Sequence, residues 1–321
     1  MASCTPAQPR TAALGGMFAM AAGIGVGRFI YTPILPPMVE ALGLSKSAAG
    51  LIASANFSGY LCGALLATAA RLPGSRRAWL LAALLASGLS TGGMGFATSV
   101  PSFLALRFIG GVASAWVLIL ASALVLERLA QAGRTGLAAL HFAGVGIGIT
   151  VSAIVVAGLL ATDFAWPALW FGGGALSLVA LLAVWGFIPD PAEPPPAPGQ
   201  RGRAPPTPAL RRMIAAYGLF GFGYVITATF LVAIVRAAPA IRQLEPVIWV
   251  IVGLTAAPSV AFWAWLARRR GIPSAFAWAN LVAAAGVLAS VAGPSTAGIL
   301  LAATLLGGTF MGQTALGLRS R

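Results

Sequence analysis

Apolar residues run along this chain in ten stretches, separated by short polar or proline-rich breaks: 12–36, 47–70, 78–98, 101–126, 137–160, 165–188, 212–235, 246–267, 274–292 and 295–318. A helix of about 20 residues rises roughly 30 Å, the thickness of a bilayer's hydrocarbon core, so each stretch predicts a membrane-crossing helix. A membrane barrel would instead show strands of about 10 residues that alternate in polarity. The run AWLLAALLA from Ala78 to Ala86 does not alternate. The predicted fold class is an all-α integral membrane protein. The first stretch does not read as a cleaved leader, because it is long, carries Arg28 and several prolines, and lacks a small-residue cleavage site.

Composition supports this picture: 59% of residues are hydrophobic and 8% charged. Soluble domains carry roughly 25% charged residues. Two cysteines, Cys4 and Cys62, and one histidine, His141, exclude a disulfide framework and the usual zinc or haem sites, so no metal or cofactor is expected. No carboxylate pair or nucleophile with an adjacent base appears, which argues against an enzyme. The net charge of +14 suggests nucleic acid until the basic residues are placed. Fifteen of the 20 fall in alternate short loops or at the ends, with Arg71, Arg76, Arg77, Arg128, Arg134 and Arg268 to Arg270 among them. The opposite loops hold only Lys46, Arg236 and Arg242. Cytoplasmic loops retain the basic excess, so both termini are expected in the cytoplasm, and topology rather than nucleic acid accounts for the charge. Anionic lipid headgroups are the further partner that basic loops such as Arg268 to Arg270 suit.

The segment from Pro189 to Pro208 carries nine of the 22 prolines and cannot build a core. It divides the chain into an N-terminal tail (1–11), a six-helix bundle (12–188), a linker (189–211) and a four-helix bundle (212–321), with the linker read either as a hinge or as a passive spacer. The halves are related. A shift of 196 residues lays Gly25, Gly27 and Leu35 over Gly221, Gly223 and Leu231, and one further residue lays Gly110 and Gly111 over Gly307 and Gly308. Parallel repeats of six-helix units are the architecture of major facilitator carriers.

At the first stretch the pattern becomes specific. Gly23, Gly25, Gly27, Arg28, Phe29, Tyr31, Thr32, Pro33, Leu35, Pro36 and Met38 stand in the order of the YbfB/YjiJ-type branch of the major facilitator superfamily, which the chain resembles. LIASANFSGYLCG (Leu51 to Gly63), Arg107 with Gly110 to Ser114, HFAGVGIG (His141 to Gly148) and Tyr217 to Leu231 add to the resemblance. It implies a bacterial inner-membrane secondary carrier of small solutes, normally of twelve helices. Two departures stand out. Ala69, Ala70, Arg71, Pro73, Gly74, Arg76 and Arg77 lack the acid that superfamily members commonly carry between helices two and three. The ten stretches also leave the second bundle two helices short, as if truncated, which opens an alternative: a non-transporting membrane protein, or a scaffold whose C-terminal bundle takes a partner chain.

Candidate chemistry lies within the spans. Arg28 is about nine residues from Pro37, roughly 13 Å into the membrane, where an arginine costs at least about 2.5 kcal/mol. It reads either as a cavity cation whose planar fork holds an anionic substrate, or as an arginine satisfied by helix carbonyls. Pro33, Pro36 and Pro37 are expected to free carbonyls at the end of that helix. Tyr31, Thr32, Asn56 and Tyr60, with Tyr224, Thr227 and Trp249 of the second half, are candidate cavity-lining groups, each of which could instead make one interhelical hydrogen bond. Arg107, His141 and Glu127 are candidates for coupling or gating. Against these stand a snorkelling or carbonyl-paired Arg107 and a surface or capping His141. The pairs Gly23 with Gly27, Gly59 with Gly63 and Gly144 with Gly148 read as close helix packing, and Gly144, Gly146 and Gly148 together as a bend or sliding surface.

Overall fold

The computed structural model describes residues 7–69, 73–189, 208–292 and 295–319. Most of the predicted linker, and Arg71, Arg201, Arg203 and Arg321, lie outside the described residues. Among the described residues there are helices and no strands, and ten spans are long and apolar enough to cross a membrane. Outward faces are apolar: Leu182, Trp185, Leu219, Phe222 and Leu288 are all largely exposed. In water that would be a liability, and against lipid it is the expected finish.

Where the sequence predicts one helix over 12–36, the chain forms α1 (Ala7–Met20), a π-helical turn (Ala21–Val26), an irregular turn over 27–30, and α2 (Tyr31–Leu42). The wide turn is marked by bonds from Gly27 N to Ala22 O (2.8 Å) and from Phe29 N to Ile24 O (3.3 Å), each five residues back. Pro36 and Pro37 lie inside α2, which runs on to Leu42 and stops at Gly43 in the left-handed conformation (φ 61°). The irregularity therefore sits on the N-terminal side of the prolines rather than at the helix end. Pro33 supplies no N–H to Phe29 O. Thr32 N bonds there (3.3 Å) instead of to Arg28 O, its regular partner.

The first bundle continues with α3 (Lys46–Ala69), α4 (Arg76–Gly93), α5 (Val100–Gln131), α6 (Ala138–Ala161) and α7 (Trp166–Phe187). Ser75 caps α4, accepting from Arg77 N (3.1 Å) and Ala78 N (3.3 Å), and Ser99 with Ser102 forms a capping box at α5. The second bundle holds α8 (Pro208–Ala237), α9 (Glu245–Arg270), α10 (Ile272–Val291) and α11 (Thr296–Arg319). We call the side that carries residues 73–75, 132–137 and 268–271 the basic side.

Small residues bring the helices together. Gly144 and Gly148 face the first span so closely that a Cβ on either would overlap the backbone of Met17 in α1 or of Ala21 in the π-helical turn. Gly146, half a turn away, faces the other bundle. A Cβ there would overlap Ala257 N and Gly253 O of α9. One apolar core crosses the divide, joining Ile24, Phe29 and Val145 to Leu231, Trp249 and Phe310.

The repeat is visible in the contacts themselves. Thr32 Oγ1 donates to Ala228 O (2.9 Å), and Arg236 donates to the Glu40 carboxylate, and both pairs are 196 residues apart. Equivalent positions of two related halves can touch only where the pseudo-twofold axis passes between them. That axis therefore runs between α2 and α8.

Candidate substrate cavity

A cavity of about 730 Å³ lies between the bundles. Its first-bundle wall includes Arg28, Phe29, Phe57 and Tyr60, and its second-bundle wall Tyr217, Phe220, Tyr224, Phe310 and Thr314. From the level of Arg28 the cavity extends toward the basic side, past Tyr217 near the start of α8 and Thr314 near the end of α11. At the level of Arg28, Phe29 and Phe310 meet edge to face (centroids 5.5 Å apart) and Tyr224 stacks on Phe310 (5.9 Å). These three rings floor the cavity.

Arg28 is the only charged residue among the described lining residues. Its Cζ lies 4.4 Å from the Tyr60 ring centroid, 4.6 Å from Phe57 and 5.5 Å from Phe29. Its Nε has no hydrogen-bond partner, and it enters no ion pair among the described residues. Ring faces attract a cation by roughly 0.5–2 kcal/mol without cancelling its charge. A net positive charge therefore remains in a largely apolar space.

Arg107 does a different job. It is 4% exposed, and its two terminal nitrogens donate to Gly27 O (3.1 Å) and Arg28 O (3.0 Å), the carbonyls left over by the broken helix. Its guanidinium lies over the Tyr31 ring, 5.0 Å from the centroid. Asn56 Nδ2 donates to Arg107 O (3.0 Å), so α3, α5 and the break in the first span are tied in one knot behind the cavity. The backbone that carries Arg28 is thus held by Arg107. This is the carbonyl-paired role that the sequence left open.

Of the other residues singled out from sequence, Tyr60 and Tyr224 join Arg28 on the wall. Tyr31, Thr32 and Asn56 are buried elsewhere and spend their polar groups on Ala49 O (2.9 Å), Ala228 O and Arg107 O. Thr227 is buried off the wall, and Trp249 lines a small void behind Phe29 and Phe310. His141 is fully buried rather than at the surface, packed against Gly16 of α1, with Nε2 3.1 Å from Ser122 Oγ. Glu127 is half-exposed at the basic edge, 3.6 Å from Arg76. Neither His141 nor Glu127 reaches the cavity.

Sequence reasoning passed over Phe57, Tyr217, Phe220 and Phe310. A signal was available: Tyr217, Phe220 and Tyr224 follow the i, i+3, i+7 spacing of one helix face. It also left without a role the cluster that closes the far side. There Arg236 donates from Nη1 to Glu245 Oε1 (2.8 Å) and from Nε to Glu40 Oε1 (2.7 Å), bridging α8 to α2 and to the start of α9.

The sequence as a whole answers to one family model, that of the uncharacterised MFS-type transporter YbfB, over residues 20–321. The chain belongs to this family. Among curated proteins, the chain is 27% identical over 159 residues to the 4-hydroxybenzoate transporter PcaK of Acinetobacter baylyi, a match covering 49% of the chain and 34% of that protein. The chain thus spans about a third of the length of the curated relatives it matches. Among solved structures, a mutant of the nucleoside transporter NupG superposes with TM-score 0.69 at 15% identity, covering 94% of this chain and 80% of that one. The human organic anion transporter MFSD10 superposes with TM-score 0.64 at 18% identity, covering 96% and 89%. These similarities establish the major facilitator fold of the chain.

Proposed function

We propose that this protein is an inner-membrane secondary carrier that moves a small organic anion by alternating access. The observation that carries the reading is Arg28, a cation with no carboxylate partner among the described residues, in a cavity between two related bundles. An intramembrane charge is costly and is retained where it meets a substrate or ion. Curated relatives carry 4-hydroxybenzoate, a carboxylate, which agrees in charge.

The excess of arginine in its loops supports a cytoplasmic orientation of the basic side and of both termini, and the contacts closed on the opposite side, Glu40–Arg236 and Thr32–Ala228, support an inward-open reading. The two related bundles rock against each other around the cavity between them. Opening the far side requires that the Glu40–Arg236 and Thr32–Ala228 contacts part. Arg28 binds the anion, Tyr60 and Tyr224 shape its seat, and Arg107 positions Arg28.

Uptake into proteoliposomes tests the reading. A panel of radiolabelled carboxylates is set against uncharged solutes of similar size. Saturable uptake of at least one carboxylate, competed by other anions and not by neutral solutes, is the expected result. Uptake confined to neutral or cationic solutes would overturn it.

A further inference from the structure

We infer that the cavity selects a planar aromatic monocarboxylate, with its carboxylate on Arg28 and its ring stacked on the Tyr224–Phe310 wall. This rests on the anion-carrier reading and narrows it.

The charge pattern sets the first limit. One cation and no acid line the cavity among the described residues, so one negative charge is matched and a second would be left unpaired in an apolar space. The aromatic faces of Phe57 and Tyr60 cover the guanidinium, and Nε is buried without a partner. A carboxylate approaching in the guanidinium plane gains the paired hydrogen bonds that this geometry favours.

The wall sets the second limit. From the floor to the rim runs a ladder of rings: Phe310 to Tyr224 (5.9 Å, 20° between planes), Tyr224 to Phe220 (4.8 Å, 18°), and Phe220 to Tyr217 (6.1 Å, tilted by 50°). The first two pairs are nearly parallel and offset, and such an arrangement accepts a further flat ring in offset stacking. Recognition of sugars or nucleosides relies on amide and carboxylate side chains that pair with many hydroxyls or base edges. No Asn, Gln, Asp or Glu is among the described lining residues. The hydroxyls that are present, Ser54, Ser58 and Thr314 among them, suit at most a few ring substituents. The volume of about 730 Å³ falls within the usual range of small-molecule sites and admits such an acid with water to spare.

Equilibrium binding to the purified protein in nanodiscs tests the assignment with four probes: benzoate, its saturated counterpart cyclohexanecarboxylate, the neutral benzamide, and phthalate. Benzoate is expected to bind about three- to tenfold tighter than cyclohexanecarboxylate, the margin that ring stacking supplies. Phthalate and benzamide are expected to bind at least tenfold more weakly than benzoate. In Phe310→Leu the benzoate preference over cyclohexanecarboxylate should fall toward one. If cyclohexanecarboxylate binds as tightly as benzoate, the aromatic assignment is wrong while the anion carrier stands. If benzamide binds as tightly as benzoate, the anion reading fails as well. Absence of binding by all four to folded protein overturns the assignment outright.

Discussion

Arg107→Leu is expected to lower the thermal midpoint of the purified protein by several degrees and to cut the yield of monodisperse material. Leucine fills most of the space but leaves Gly27 O and Arg28 O without donors. Each orphaned buried carbonyl costs about 1–3 kcal/mol, and no water in the hydrocarbon region is at hand to take over. Removing a buried charge gives back part of its desolvation cost, which works against this loss. The carbonyls decide the sign: Thr32 N, the regular partner of Arg28 O, is held by Phe29 O. A net loss of about 2–4 kcal/mol follows from these terms. Arg107→Lys keeps one donor and should recover part of it, since an ammonium cannot span two carbonyls as the guanidinium fork does. A wild-type melting curve for Arg107→Leu, measured in detergent by intrinsic fluorescence, would show that the knot behind the cavity is dispensable.

If the bundles alternate as proposed, Glu40→Gln and Arg236→Gln are expected to shift the protein away from the state in which the far side is closed. The three side chains are unevenly exposed, Arg236 at 19%, Glu245 at 15% and Glu40 at 56%, so solvent screens the Glu40 arm more than the Glu245 arm. A loss of about 1–2 kcal/mol is the reasonable scale, which changes a two-state ratio by roughly five- to thirtyfold. Arg236→Gln removes both arms and should act more strongly than Glu40→Gln, which removes one. Spin labels at Ser47 and Gln243, with Cys4 and Cys62 replaced by serine, report the distance across the far side. Wild type should give mainly the short distance, and both variants a larger population at longer distance. Identical distributions in all three would mean that the ion pairs do not set the balance between states.

Much of the architecture was legible in the sequence because apolar length and arginine placement are direct consequences of the bilayer. All ten stretches correspond to observed spans, and the 196-residue repeat that relates Gly25 to Gly221 reappears as the Thr32–Ala228 and Glu40–Arg236 contacts. The break in the first span was half legible. Pro33 announces freed carbonyls, but whether the chain yields before or after a proline depends on what can hold the loose groups, and Arg107 is 79 residues away. Polar residues inside spans carry the same ambiguity. Tyr31, Asn56 and Tyr60 look alike in sequence, yet two of them serve carbonyls in the packed interior and one faces the cavity. The aromatic wall was hardest to read, because a phenylalanine facing lipid and one facing a solute leave the same mark. Phe262 is 52% exposed and faces outward, while Phe220 is 8% exposed and lines the cavity.

The measurement that bears most directly on the central claim is benzoate counterflow in proteoliposomes by wild type and by Arg28→Gln at matched reconstitution. Counterflow requires a binding site that opens to both sides in turn, and it needs no knowledge of the coupling ion. The account predicts robust counterflow by wild type and at least a tenfold loss in Arg28→Gln, with monodispersity and melting behaviour kept. Arg28→Lys should fall between them. Equal counterflow by wild type and Arg28→Gln would contradict the assignment of Arg28 as the group that receives the anion.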